Sequence, residues 1–220
     1  MACLLSVMQI LDQGHYERLW SDLLERKPLK DFLLRLFLVL RDLVQQDVFP
    51  SDWRTMHCVA NRIILCSLGN LAQPLISYFL DAGCFDSQLW SSYFNLTVAF
   101  LTQPSLQLEK CTESQRQKIL ESDGDMRVKM GLQILAMWNA IGDYKIHFIP
   151  NMVGRFLQVT LVPEPELRRA TLPIFFDMMD CEQRHRGNFK QVESELIDKL
   201  DVLVGENQGD DGYKELFNIM

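Results

Sequence analysis

Cys181 and His185 stand four residues apart, a spacing that sets a thiol and an imidazole on one face of a helix, where both could ligate one metal ion. A structural zinc site needs four ligands, and the remaining candidates, His57-Cys58 and Cys66, lie far off in sequence, so no metal is assigned. His15, His57, His147 and His185 have no local partners in the pattern of a nucleophile, a base and an orienting group. A catalytic triad would have to be assembled wholly from distant segments. Asp177, Asp180 and Glu182 share a helix end, and Asp210-Asp211 follows later; neither group has calcium-loop spacing, and a solvated face is expected for both. Gly124, Gly131, Gly142 and Gly154 are isolated and form no phosphate-binding loop. Hence no catalytic residue, cofactor or metal ligand is assigned. What remains is Arg168-Arg169, a cationic pair suited to carboxylates. It is expected to bridge to acidic groups of an adjacent helix pair, or alternatively to recognise an acidic partner.

Composition narrows the class. The 220 residues are 48% hydrophobic and 23% charged, within the range of folded domains. With 29 acidic against 22 basic residues the net charge is −7, which argues against non-specific nucleic-acid binding. The six cysteines are dispersed in apolar, helix-like segments, as reduced thiols in a cytoplasmic protein would be. The apolar run from Phe32 to Val44 is broken by Arg35, Arg41 and Asp42, so no transmembrane segment is expected; Met1 to Leu11 lacks a basic leader and a cleavage site. The sequon Asn95-Leu96-Thr97 falls in a dense apolar helix, where burial is expected.

The positioning elements are helices throughout. Gly14 divides a helix over 3–12 from one over 15–26, and Pro28 opens a third that runs to about Gln46. There Phe32, Leu36, Val39 and Leu43 mark an apolar stripe, widened by Leu33, Phe37 and Leu40. Ser51 is placed to cap a helix over 52–67, Gly69-Asn70 to close it, and another spans Leu71 to Asp81. Asp86 or Ser87 caps a helix apolar nearly all round, from Leu89 to Leu101, which marks a buried central element; Pro104 ends it. Thr112 and Gln115 fit a capping box. Further helices run from Asp125 to a left-handed Gly142, from Ile149-Pro150 to Val162, and from Glu164 to His185 with Pro173 bending it. The last full helix, through Val204, turns Phe189, Val192, Leu196, Ile197 and Leu200 inward. A charged linker over 205–212 precedes a final helix from Tyr213. Trp20, Trp53, Trp90 and Trp138 all fall on apolar stripes as core anchors.

No alternating stretch reaches strand length, so the fold class is all-α. The unit from 147 to 186 is near the ~40–47-residue repeat of armadillo and HEAT arrays, which favours a solenoid of stacked antiparallel helix pairs over a closed bundle.

Several segments together resemble one signalling family. They are Phe100 to Glu109, Gly124-Asp125-Met126-Arg127, Phe148 to Gly154, Leu161 to Met179, Asn188 to Glu193 and Glu195 to Asp201. In order and spacing they are similar to the dedicator-of-cytokinesis (DOCK) family, closest to its Rac-directed subfamilies. Arg155 stands where relatives commonly have proline. The resemblance implies a piece of a large, cytoplasmic guanine nucleotide exchange factor recruited to the plasma membrane, acting in cytoskeletal control and cell migration. Residues 1–187 resemble its armadillo-like middle, and 188–220 a helix and linker entering the catalytic region. By this resemblance the chain is a non-catalytic scaffold, contacting adjacent domains and protein adaptors, with a Rac-type GTPase bound only through the catalytic region beyond it. The alternatives are an independent helical-repeat adaptor and, from scattered histidines and acids, a helical enzyme.

Overall fold

Side-chain caps fix the starts of the helices that begin at Gln13, Ser87 and Pro165, and apolar spacing sets which faces the helices bury. The computed structural model describes residues 2–23, 25–45, 48–50, 52–81, 83–206 and 208–218. Its helices are α1 (Ala2–Ile10), α2 (Gln13–Asp22), α3 (Arg26–Gln45), α4 (Arg54–Phe79), α5 (Ser87–Thr102) and α6 (Glu113–Asp123). They continue with α7 (Met126–Ala140), α8 (Val153–Thr160), α9 (Pro165–Arg186), α10 (Lys190–Gly205) and α11 (Asp211–Asn218). Short 3-10 stretches occupy Pro104–Leu106, Leu108–Lys110 and Gly142–Phe148, and no strand occurs among the described residues. The architecture is an all-α helical repeat. It divides into two compact units, Met1–Met126 and Arg127–Met220.

In the first unit α4 packs against α1, α2 and α3, while α3 also packs along α5. Asp12 caps α2, accepting from the His15 amide at 2.9 Å, so the helix begins before Gly14 instead of being divided by it. Asp86 caps α5 through the Leu89 amide at 3.0 Å. Gln115 accepts from the Thr112 amide at 3.1 Å, half of the capping box that the spacing predicts. The expected cap Ser51 lies outside the described residues. Trp53 precedes α4 and supplies no side-chain cap.

The expected break at Gly69-Asn70 does not occur: α4 is one helix of 26 residues, with Pro74 inside it. A helical glycine costs about 1 kcal/mol relative to alanine. Continuity buries Ile64, Leu68, Leu71 and Leu75, each burial worth roughly 1.5–3 kcal/mol, so packing outweighs propensity. Asn70 turns back on the Cys66 carbonyl at 2.9 Å, satisfying its amide without leaving the helix.

Along α3 the buried line is Leu29, Leu33, Phe37, Leu40 and Leu43, and Val39 faces out. The two stripes are neighbours on one cylinder, and contact with α5 selects between them: the rings of Phe37 and Tyr93 meet edge-on at 5.9 Å. As its composition predicts, α5 is the central element, with Leu89, Trp90, Tyr93, Phe94 and Leu101 fully buried. In the sequon, Asn95 is exposed against expectation, whereas Thr97 is buried and donates to the Phe94 carbonyl.

In the second unit α8, α9 and α10 pack on one another. Trp138 of α7 meets Phe148 and Phe156 at 6.2 and 5.5 Å. Gly131 lets α7 approach α9: a Cβ there would lie 2.4 Å from Leu167 Cδ1. Gly142 (φ 53) turns the chain after α7 as predicted, and Gly187 (φ 74) closes α9. The helix expected from Ile149-Pro150 begins at Val153, after the 3-10 run. Arg155 is its third residue, where the amide needs no intrahelical acceptor. Only Val192 and Leu196 of α10's predicted stripe are buried; Phe189 and Ile197 are exposed. Three tryptophans are buried, but Trp53 is 53% exposed, stacked near Phe49, and is no core anchor.

Candidate functional site

Arg168 and Arg169 sit in the first turn and a half of α9, about 100° apart around the helix, so only one of them can face inward. Arg168 does, at 6% exposure. Its Nε donates to the Thr160 carbonyl at 2.8 Å and its Nη2 reaches the Leu161 carbonyl at 3.4 Å, both at the end of α8. Its Nη1 and Nη2 also grip Asp210 bidentately, at 2.9 and 2.8 Å. Asp210 in turn caps α11, accepting from the Tyr213 amide at 2.7 Å. The buried Tyr213 ring lies 5.9 Å from the guanidinium carbon. The segment expected as a linker over 205–212 is thus tied to α8 and α9. Arg168 holds the Asp210 carboxyl below the usual carboxylate range, and burial pushes the Tyr213 phenol up. Arg169 is exposed and pairs with Glu166 on its own helix.

Other ionic groups of this unit also join elements. Glu182 is fully buried, not on a solvated face, and accepts from the amides of Gln191 and Val192 at 3.2 and 3.0 Å. It caps α10 from the preceding helix, where the positive end of the helix favours a carboxylate. Asp177 is likewise engaged, accepting from Trp138 Nε1 at 2.6 Å and Lys145 Nζ at 2.7 Å. Buried Arg127 reaches Glu164 Oε2 at 3.4 Å, while Glu164 also caps α9 through the Glu166 amide. Asp180 stays on the surface with Arg184, as expected. Sequence reasoning missed Arg127, Lys145 and Glu182, whose partners lie on other elements; only the Gly187 turn between Glu182 and Gln191 hinted at the last.

The candidates for chemistry are occupied locally. His185 Nδ1 lies 2.9 Å from the Cys181 carbonyl oxygen, a bond in which the ring N–H donates, and burial pushes the Cys181 thiol up. His57 Nε2 is 3.1 Å from the Pro50 carbonyl oxygen, His15 pairs with Asp12, and His147 stacks near Tyr144. Among the described residues no group of three or more His, Cys, Asp or Glu could hold a metal, and no helix is long and apolar enough to cross a membrane. The geometry is that of an interlock, in which charges join helices.

The family described as the dedicator of cytokinesis (DOCK) TPR region matches residues 1–220. Dedicator of cytokinesis protein 4 of Mus musculus is 49% identical over 217 residues, covering 99% of this chain and 11% of that protein; the Homo sapiens protein of the same name gives the same figures. Dedicator of cytokinesis protein 3 of Homo sapiens is 48% identical over 219 residues, 100% of this chain and 11% of that protein. The chain therefore spans about a tenth of the length of these relatives, and across that length it belongs to the dedicator of cytokinesis family, within the TPR region.

Proposed function

We propose that this chain is a non-catalytic helical scaffold of a guanine nucleotide exchange factor for Rac-type small GTPases, holding the catalytic region in place during cytoskeletal signalling and cell migration. The observation that carries this reading is the interlock at Arg168: a buried arginine binds the end of α8 and the cap of α11 at once. A rigid attachment near residue 210 is what a spacer needs if the segment from 188 onward leads into the catalytic region. The match of the whole chain to a helical-repeat region supports the same reading. In this scheme Arg168 makes an inter-repeat contact, and the exposed Arg169 is open to an adjacent domain or adaptor. The working location is the cytoplasm, with the parent protein recruited to the plasma membrane.

Release of a fluorescent nucleotide from a Rac-type GTPase tests the proposal. The chain alone should leave the intrinsic rate unchanged, and a version extended through the catalytic region should accelerate it. Acceleration by the chain alone would overturn the scaffold reading.

A further inference from the structure

The first unit contains a cavity of about 380 Å³, within the range of roughly 300–1,000 Å³ typical of small-molecule sites. It is bounded by the end of α3, the first turns of α4, the turns over 103–111 and Ile119 of α6. Leu43, Val44, Val48 and Ile64 give it an apolar interior.

Among the described lining residues the charged side chains are both cationic. Arg54 and Lys110 line it, and no described lining residue is Asp or Glu, in a chain whose net charge is −7. Arg54 is held in place by the 110–111 turn: Nη1 donates to Cys111 Sγ at 3.0 Å and Nη2 to the Lys110 carbonyl at 3.3 Å. Among the described residues neither Arg54 nor Lys110 has a carboxylate partner. Four cations that bridge elements elsewhere are neutralised: Lys30 by Asp86, Arg62 by Asp123, Lys145 by Asp177 and Arg168 by Asp210. Arg54 also stands in the first turn of α4, which has no side-chain cap, so the helix adds positive potential at the same place.

We propose that this cavity binds a small amphipathic carboxylate, with its apolar body against Leu43, Val44 and Ile64 and its head on the free guanidinium donors of Arg54. The planar fork suits a carboxylate, and the apolar walls admit an alkyl body that a more polar anion lacks.

The test is calorimetric titration of the whole chain with decanoate, using decyltrimethylammonium as a probe of equal chain length and opposite charge. Decanoate should saturate a single site and protect Cys111 from iodoacetamide, and the cationic amphiphile should bind at least about tenfold more weakly. Arg54→Gln, its thermal unfolding profile recorded alongside because it gives up the two contacts to the 110–111 turn, should weaken decanoate by about tenfold, or about 1.4 kcal/mol. Any of three results would overturn the proposal: no saturation by about 1 mM decanoate, equal binding of the two amphiphiles, or unchanged affinity in Arg54→Gln.

Discussion

Replacing Arg168 with methionine keeps an unbranched apolar side chain against Tyr213 and removes every polar contact that Arg168 makes in the interlock, leaving the Asp210 cap on the Tyr213 amide. Three well-formed bonds are lost, to the Thr160 carbonyl and to both oxygens of Asp210, with a longer one to the Leu161 carbonyl. Hydrogen bonds of charged groups are worth about 1.5–3 kcal/mol each, and stripping one partner from a buried ion pair costs about 3–5 kcal/mol. Asp210, however, is 44% exposed and regains water when α11 undocks, so the lower end of that scale applies. A cost of about 2 kcal/mol corresponds to a roughly thirtyfold shift in the docking equilibrium. Hydrogen exchange read by mass spectrometry should therefore speed up by about thirtyfold across residues 211–218 and change little in α5, in the other unit. Arg168→Lys should recover only part of the protection, since an ammonium cannot grip Asp210 bidentately. Unchanged exchange over 211–218, or the same acceleration in both units, would refute the reasoning.

Other perturbations have equally definite outcomes. Because Arg168 and the Tyr213 amide keep the Asp210 carboxyl below its unfolded value of about 3.9, their contribution is complete above that pH and fades as pH falls through the lower folded value. Exchange over 211–218 should rise in that acidic window. Glu182→Gln leaves one oxygen for two amides and sets an NH2 against the other, so urea unfolding should show a loss of about 2 kcal/mol. Gly131→Ala gains about 1 kcal/mol of helix propensity but drives a Cβ to 2.4 Å from Leu167 Cδ1, an overpacking cost of about 1–3 kcal/mol, so net destabilisation is expected. Gly205→Ala has open space around the new carbon and should stabilise α10 by about 0.5 kcal/mol in the same assay.

Local signals were legible where the answer is local. The caps at Asp86 and Thr112, the left-handed Gly142, and the burial of α5 follow from residue type and spacing alone. Where two outcomes fit one pattern, the partner element decides. The apolar positions of α3 admit two adjacent stripes, and Phe37 against Tyr93 settles which one is inside. Gly69-Asn70 reads as a stop until the apolar residues on both sides are seen to share one core. Phe189 and Ile197 look like core residues of α10, yet α8 and α9 cover only the line through Val192 and Leu196. The ionic joints were least legible, because Arg168 and Asp210 are separated by 42 positions and Arg127 and Glu164 by 37. Arg168 reads as a bridging residue from the sequence, but spacing does not name its partner.

The most direct test of the proposed scaffold role measures geometry in a version of the chain extended through the proposed catalytic region. A fluorophore pair would be introduced through unnatural amino acids, one at exposed Arg169 on α9 and one in the catalytic region, and read by single-molecule energy transfer. The account predicts one narrow distance distribution for the native sequence, broadened by Arg168→Met. A broad distribution in the native protein, or one that Arg168→Met leaves untouched, would contradict it.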